Sequence, residues 1–379
     1  MPETRPHGIK SPFIEHIVVT LSDRIRSGVY PGGRWLPTER ELCSEFDVSR
    51  TTLRQALAEL ERSSLVMRSA GCRPMVIAGR ASSHIGARNA ETARRTIGLQ
   101  VKHDAKFSGT YQITQGVREA AGAHACRLIV GGGSAVTLAQ AASQEAQTLR
   151  DMTRDEDVEG IILWHCGVES LLPELLAVQQ AGIPLVFVDR APPVGIDADF
   201  VGIDNRGAAR AAVSHLISRG HRRIAHVTNP EPVSTVSERR EGYDEAMRDA
   251  GLEDCGRIFT GRLEAMAEEG MAAGEIADTL LSMEEPPTAL FAVTDYVALA
   301  IVRALEERGR RVPEDFAVVG FDDLEQWLPQ KPFLTTIRQP FERIGREAAA
   351  LLARRLDEPS NNRFRHVVLD APLVLRSSG

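Results

Sequence analysis

Cysteine is scarce in this chain of 379 residues, and its five copies are dispersed with no C-x-x-C pair among them. An odd, scattered set argues against a disulfide framework or a zinc site and favours a reducing compartment. The ten histidines contain no HExxH or HxH grouping, so we expect neither a metal centre nor a cofactor. The cysteines are Cys43, Cys72, Cys126, Cys166 and Cys255.

Long apolar runs are also lacking. No stretch approaches the roughly 18 apolar residues that a membrane-spanning helix needs, and no early apolar run resembles a signal peptide. We therefore expect a cytoplasmic protein without membrane contact. The length allows two or three domains, each able to bury a large core.

Signatures of catalysis are missing as well. The run Gly131–Ser134 is not followed by the Lys-Ser/Thr pair of a phosphate-binding loop. Asp322 and Asp323 could form a catalytic carboxylate pair, but no nucleophile, base and orienting group with plausible spacing accompany them. We therefore expect that the chain is not an enzyme and has no catalytic residues.

The net charge of −7 is unevenly distributed. Residues 1–80 hold 12 Lys and Arg against 9 Asp and Glu, a net of +3, while the remainder holds 33 against 43, a net of −10. This asymmetry places any contact with a polyanion at the N-terminal end and leaves an acidic, solubilising body.

The segment Leu36–Val66, LPTERELCSEFDVSRTTLRQALAELERSSLV, predicts two short helices joined by a turn. Thr38 and Glu41 have the spacing of a reciprocal capping box at the first helix, and Ser49 can cap the second. Apolar residues at helical spacing bury one face of the second helix. Its exposed N-terminal end would then present arginine side chains and free N–H groups, as the reading helix of a helix-turn-helix does.

An ordinary helix pair with surface arginines is the alternative, because helix-turn-helix patterns also recur by accident. The flanking segments favour the DNA-binding interpretation. Phe13–Gly28 predicts a helix with one apolar face, and Leu65–Met67 and Pro74–Ile77 predict two short strands around a turn. Three helices and such a β-wing make a winged helix.

The stretch SGVYPGGRWLPTERELCSEFDVSRTTLRQALAELERSSLV resembles the signature of the GntR family of bacterial transcription regulators. The resemblance implies that Arg40, Arg50, Thr51 and Arg54 contact operator DNA. The wing departs from the family, since SAGCRP stands in place of a glycine-rich tip, which leaves a minor-groove role of Arg68 or Arg73 open. The full set of candidate DNA-binding residues is Thr38, Arg40, Ser49, Arg50, Thr51, Thr52, Arg54 and Arg73.

Residues 79–95 are polar and rich in small residues, which is typical of a linker. A solvated tether is the favoured interpretation, although its arginines could add phosphate contacts. The expected domains are a winged helix over residues 1–78, this linker, and a third region over residues 96–379.

From Thr96 onward, short apolar strands alternate with helical stretches in two successive runs. Such alternation predicts parallel sheets covered by helices, and two runs predict two lobes with a ligand cleft between the carboxyl ends of their strands. The second set of strands is expected to begin with Val201–Ile203. Acids, aromatics and one arginine follow the strands, a combination that suits the hydroxyl groups and C–H faces of a sugar. A single such Asp more often only caps the next helix, as we expect at Asp204-Asn205 and in part at Thr294–Asp295.

Residues 97–376 are similar to the effector-binding domain of the LacI/GalR repressor family, on the motifs VEGIILW, AGIPLVFVDR, GHRRIAHV, SERREGYDEAM and VVGFDD followed by PFLTTIRQP. The resemblance implies a two-lobed α/β domain of the periplasmic-binding-protein (type I) fold behind the small α+β winged helix. The effector-contacting positions that it implies are Asp189, Arg239, Thr294, Asp295 and Asp322, with Phe107, Trp164 and Trp327 as stacking surfaces. A GntR-type reader on a LacI-type sensor is typical of bacterial repressors of sugar-use operons, notably those for arabinose.

We therefore expect a homodimer that binds double-stranded operator DNA and responds to a small sugar-like effector. The lobes are expected to close at hinges near Pro192–Asp199 and Leu324–Pro332. Repression relieved by effector is favoured, with corepression left open. The alternatives are a solute-binding sugar receptor without a gene-regulatory role, and an enzyme with a regulatory winged helix.

Overall fold

A computed structural model of the chain divides into two compact units, Met1–Ala93 and Arg94–Gly379. The first strand of the second unit begins at Arg95, within the predicted linker. The residues that the structure describes are 17–18, 20–21, 24–25, 30, 34–46, 48–62, 66–67, 73–76, 95–101, 108–132, 135, 137–230, 233–261, 271–324, 332–359 and 363–379.

The N-terminal unit is a winged helix-turn-helix, which confirms its predicted fold. Helices α1 (Glu39–Phe46) and α2 (Arg50–Arg62) are followed by strands β1 (Val66–Met67) and β2 (Met75–Val76), which pair in antiparallel register. The described positions between 17 and 25 are helical, as predicted, while the ends of that helix lie outside the described residues. One apolar core joins these elements, and its fully buried members include Leu21, Ile25, Leu36, Leu42, Leu53, Leu57 and Leu60.

Both predicted helix caps are present in this unit. The Thr38 N–H donates to Glu41 Oε2 at 2.7 Å, and the Glu41 N–H donates to Thr38 Oγ1 at 3.2 Å. This reciprocal arrangement lowers the pKa of Glu41, chiefly through the hydrogen bond from the Thr38 backbone. At α2, the Thr52 N–H donates to Ser49 Oγ at 3.2 Å. The caps satisfy N–H groups that the first turn of a helix leaves without partners.

The second unit contains two six-stranded sheets, which confirms the predicted two-lobed α/β class. The sheet of the first lobe has the strand order β4-β3-β5-β6-β7-β13, and all its pairs are parallel. Its strands are β3 (Arg95–Gln100), β4 (Cys126–Gly131), β5 (Val158–Leu163), β6 (Leu185–Val188), β7 (Asp199–Ile203) and β13 (His366–Leu369).

The sheet of the second lobe has the order β9-β8-β10-β11-β12-β14 and is parallel except for the pair β12–β14. Its strands are β8 (Ile224–Thr228), β9 (Arg257–Thr260), β10 (Ala289–Ala292), β11 (Ala317–Asp322), β12 (Thr335–Arg338) and β14 (Leu373–Val374). The sequence predicts strands at Arg223–Val227, Arg257–Thr260, Ala289–Val293 and Ala317–Gly320, which agree with β8 to β11 within one or two residues at their ends. It does not predict β12.

Helices lie between most of the successive parallel strands, whereas β6 and β7 are joined by residues 189–198, which contain no helix. None of the helices in the described ranges is long and apolar enough to span a bilayer. They are α3 (Ser108–Ala123), α4 (Leu138–Arg154), α5 (Leu172–Gln180), α6 (Asn205–Ser218), α7 (Ser234–Asp249), α8 (Ala273–Ser282), α9 (Asp295–Glu306) and α10 (Phe341–Asp357).

The lobe assignment of β7 and the first predicted hinge, Pro192–Asp199, are wrong. Strand β7 pairs with β6 in the first sheet, so residues 192–199 connect two strands of one lobe. The chain instead crosses between the sheets after β7, between β12 and α10, and between β13 and β14. The crossing segments are therefore Asp204, Gln339–Pro340 and Asp370–Pro372. The second predicted hinge lies mostly outside the described residues.

His226 is fully buried at the centre of β8, between the rings of Tyr243 and Phe291. Its Nδ1 donates to the Phe291 carbonyl at 3.0 Å, while its Nε2 has no hydrogen-bond partner among the described residues. Burial, which disfavours the charged imidazolium, lowers the pKa of His226 to about 4.

His226 should therefore make the protein sensitive to acid. Its pKa is lower in the folded than in the unfolded state, so its contribution is constant above pH 6.5 and stability is lost as the pH falls towards 4. Between pH 8 and pH 5 this loss amounts to about 2 kcal/mol. In His226→Phe, which keeps an aromatic ring in the stack, the drop in unfolding free energy between these pH values should be smaller by that amount. Urea titrations at both pH values measure it.

The exposed histidine His124 provides the control. His124→Phe removes an imidazole from the surface instead, and the reduced loss of stability in acid should be specific to the variant at His226. If His226→Phe gave the same drop as the unsubstituted protein, burial of His226 would not be a source of the acid sensitivity.

Candidate nucleic-acid interface and ligand cleft

The N-terminal end of α2 presents the exposed surface that sequence analysis predicted. Arg50 and Thr51 lie exposed in its first turn, with Thr52 half-buried behind them. Arg40 on α1 and Arg73 before β2 are also exposed. An exposed helix N-terminus with arginines on it can meet both phosphates and base edges in a major groove.

Four of the predicted DNA-binding residues already have partners inside the unit. The Thr52 hydroxyl lies 2.9 Å from that of Ser49. Thr38 and Ser49 use their hydroxyl groups as helix caps. Arg54 forms an ion pair with Glu39, in which Nε lies 3.1 and 3.0 Å from the two carboxylate oxygens. The pair is largely exposed, and an exposed pair is worth about 0.2–1 kcal/mol, so it orients Arg54 without locking it.

In the first lobe, the predicted residues Trp164 and Asp189 lie together at the carboxyl ends of β5 and β6. The indole Nε1 of Trp164 donates to Asp189 Oδ2 at 3.0 Å, and the Trp164 ring packs 6.0 Å from that of Phe341. Asp189 adopts a φ of 65°, which turns the chain sharply out of β6. Trp164 is only 3% exposed, so its stacking on a ligand stays a prediction.

In the second lobe, Arg239 on α7 is buried among partners from three strand ends. Its Nε donates to Asn205 Oδ1 at 3.0 Å and its Nη1 to the Val293 carbonyl at 2.7 Å. Its Nη2 lies 3.6 Å from Asp322 Oδ1, and its guanidinium carbon lies 3.7 Å above the ring of Phe321. The sequence identified Arg239 and Asp322 but not Asn205.

Asp295, the first residue of α9, is a further buried carboxyl group near Asp322. It is fully buried, and its two carboxylate oxygens accept from the Thr336 hydroxyl at 2.6 Å and the Leu324 N–H at 2.7 Å. Burial, and next the charge of Asp322, raise the pKa of Asp295 well above its usual range. Because both oxygens are already bonded within the protein, a direct effector contact by Asp295 stays a prediction.

The expected helix caps at strand ends are also present. The Gly207 N–H donates to Asp204 Oδ1 at 2.8 Å, and the Thr294 hydroxyl accepts from the Val297 N–H. Thr294 therefore has a capping role beside its predicted effector contact. The predicted stacking residues Phe107 and Trp327 lie outside the described residues.

Several buried polar groups at strand ends were missed. Among the described residues, Arg190 Nε, Thr228 Oγ1, Asn229 Oδ1 and Gln339 Oε1 have no hydrogen-bond partner. These residues follow or end β6, β8 and β12, and so lie at the cleft edge of both sheets. Buried polar atoms without partners are rare, and a polar ligand would satisfy them. Thr228 is the last residue of β8 and Asn229 follows it, so their position at a strand end is the signal that could have identified them.

The two lobes touch at one rim of the cleft. The Ala191 N–H of the first lobe donates to the Ser234 hydroxyl of the second at 3.2 Å. Gly167 has a φ of 90°, and a Cβ atom added there would lie 2.2 Å from Cγ1 of Val233. Only glycine therefore fits at this contact.

The comparisons with known proteins agree with this architecture. Residues 13–73 match the model of the bacterial regulatory proteins of the gntR family, and residues 213–379 match that of the periplasmic binding protein-like domain. The chain is 36% identical over 239 residues to the HTH-type transcriptional regulator CelR of Thermobifida fusca, covering 62% of this chain and 67% of that protein.

Two solved structures have a similar fold. One is a complex of the transcriptional regulator CelR with cellobiose, with a TM-score of 0.61, 26% identity and coverage of 91% of this chain and 100% of the other. The other is a LacI family transcriptional regulator from Enterococcus faecium with bound ribose, with a TM-score of 0.62, 26% identity and coverage of 75% and 98%.

Both resemblances found in the sequence are thus confirmed. The winged helix, the two-lobed domain and the matched relatives together indicate the family of the chain. The chain belongs to the bacterial HTH-type transcription regulators, with a DNA-binding domain of the gntR family joined to a periplasmic binding protein-like domain of the LacI type.

Proposed function

We propose that this chain is a repressor that binds a near-palindromic operator as a homodimer in the cytoplasm and releases it when a small sugar-like effector fills the cleft. The observation that carries the proposal is the set of buried, unpartnered polar atoms at the strand ends of both lobes. It occurs in a chain that also holds a winged helix with exposed arginines at its reading end. A ligand that touches both lobes can change their relative orientation.

The alternatives explain less of the chain. A solute-binding receptor would use the cleft but would have no use for the winged helix. An enzyme would need a nucleophile with its base, and the cleft residues Arg239, Asp295 and Thr294 are instead held by hydrogen bonds within the protein. The sugar bound in the CelR and Enterococcus faecium structures also favours a sugar as effector.

Arg50→Ala should weaken specific operator binding by about 1–3 kcal/mol if Arg50 contacts a base. An operator obtained by selection from random DNA, titrated at fixed salt concentration, supplies the measurement. Arg310→Ala is the matched control, because it removes one exposed positive charge from the second unit. Equal binding by the protein and its Arg50 variant would mean that this arginine does not read the operator.

Glu39→Gln should tighten operator binding by up to about fivefold, because it replaces the exposed ion pair with Arg54 by a weaker neutral contact. In an Arg54→Ala background the same substitution should increase operator affinity by less. This comparison separates the weakened ion pair with Arg54 from the simple loss of a negative charge near the phosphates. The four affinities form a double-mutant cycle. An equal effect in both backgrounds would show that Arg54 does not contact DNA.

A sugar effector at about 100 times its dissociation constant should raise the unfolding free energy of its domain by about 2.7 kcal/mol. Thermal unfolding against a panel of pentoses, hexoses, disaccharides, nucleosides and sugar phosphates detects this as a selective rise in Tm. The same ligand should release the operator. A ligand that saturates the cleft without changing operator affinity would contradict the proposal.

Within that panel, Asn229→Ala should abolish or strongly reduce the shift while leaving the Tm without ligand nearly unchanged, because Asn229 Oδ1 has no partner among the described residues. Asn205→Ala provides the contrast. It should lower the Tm itself, since Asn205 bonds both Arg239 and Glu238. An unchanged ligand shift in Asn229→Ala would place the effector elsewhere.

A further inference from the structure

Helix α4 carries a buried carboxylate that the proposed function does not use. Glu145 is 1% exposed, and both its oxygens are bonded to the loop that follows β5. Oε1 accepts from His165 Nδ1 at 2.6 Å, and Oε2 accepts from the Cys166 N–H at 2.7 Å. Burying a carboxylate is costly unless it is fully bonded, so these two bonds fix the loop firmly against the helix.

The loop held by Glu145 in turn holds the turn after β6. Arg190 Nη1 donates to the carbonyl of His165 at 3.1 Å and to that of Cys166 at 2.8 Å. One residue before His165, the Trp164 indole donates to Asp189. Side chains and carbonyls of one strand-end loop therefore set the position of the acid and the cation that the first lobe presents to the cleft.

The same two loops make the contacts with the second lobe. Gly167 packs against Val233, and the Ala191 N–H bonds to the Ser234 hydroxyl at the start of α7. A displacement of the loop after β5 would disturb both the cleft residues and the rim where the lobes meet. The chain of contacts runs without a gap from Glu145 to the first turn of α7.

Metal binding is the other use of such a group. Donor atoms of Glu145, His165 and Cys166 lie within 4.8 Å of one another, and all three residues are buried. The carboxylate oxygens, however, already accept the imidazole and backbone N–H groups, and His165 Nδ1 lies closer to Oε1 than two ligands of one tetrahedral zinc ion would. The geometry favours a set of mutually satisfied hydrogen bonds.

We propose that Glu145 is a positioning residue for the effector cleft: its carboxylate holds the loop Trp164–Gly167, which aligns Asp189 and Arg190 and the rim contact with α7. The consequence of this positioning for effector binding rests on the proposed function, but the positioning itself can be measured without any ligand. Glu145 touches no effector and acts only through this loop.

Hydrogen–deuterium exchange of the full-length protein tests the positioning. In Glu145→Ala, the amides of Cys166 and of residues 189–191 should exchange about tenfold faster or more, because the loop has lost the acceptor that orders it. Glu145→Gln should exchange nearly as the unsubstituted protein does. Its amide oxygen still accepts from the Cys166 N–H, and its NH2 group can donate to the other tautomer of His165.

Leu149→Ala is the matched control, because Leu149 is fully buried one turn further along α4 but belongs to the apolar core. It should lower the Tm without selective exchange at residues 189–191. Faster exchange at Cys166 alone, or the same pattern in Leu149→Ala, would overturn the proposal. So would a change of the exchange pattern on treatment with a chelator, which would make the group a metal site.

Titration calorimetry with D-ribose and with cellobiose adds the link to effector binding. Where the unsubstituted protein binds either sugar, Glu145→Ala should bind it about tenfold more weakly, and Glu145→Gln should recover the affinity. Equal affinity of the Ala variant would overturn the role in the cleft. If the unsubstituted protein bound neither sugar, that result would count against these effectors in the proposed function, while the exchange pattern would still decide the role of Glu145.

Discussion

The buried guanidinium of Arg239 is the constraint on which the cleft depends. A cation in a protein interior is tolerated only when its donors are bonded and its charge is matched. Arg239 meets these needs with Asn205 just after the first crossing, with the Val293 carbonyl after β10, and with Asp322 at the end of β11. The face of Phe321 covers its remaining side, which adds a cation–π contact. One buried charge therefore fixes where three chain segments meet.

The charges around Arg239 are largely matched within the protein, and this bears on the kind of ligand that fits. Asp323 is clamped by Arg338 and Arg376, and the carboxyl oxygens of Asp295 are bonded to Thr336 and Leu324. The unpartnered atoms at the strand ends belong mostly to amides and a hydroxyl group. Arg190 keeps a free donor, but the carboxylate of Asp189 adjoins it. An uncharged ligand with neighbouring hydroxyl groups satisfies such atoms, whereas a phosphate would need an unmatched cation.

Local features of the sequence were the most predictable. The two helix caps, the second helix of the helix-turn-helix and the strand-end acids depend on residues within a few positions of each other, and the structure has each of them. The lobe assignment of β7 failed because pairing between parallel strands is set by contacts far apart in the chain, which no local pattern reports. Asn205 and Gln339 were missed for a related reason. Each is an unremarkable residue in the sequence and acquires its role only when a crossing brings it beside Arg239 or Asp322.

The crossings also show how ligand binding can be transmitted. Strand β7 ends at Ile203 and α6 begins at Asn205, so the first crossing is the single residue Asp204, which caps α6 through the Gly207 N–H. A crossing this short lets the lobes rotate as rigid bodies about a few backbone dihedral angles. Asn205 stands directly after that residue and bonds Arg239, so the Arg239 network begins at this crossing. A ligand that tightens the network in one orientation of the lobes thus favours that orientation by its difference in affinity, typically about 1–3 kcal/mol.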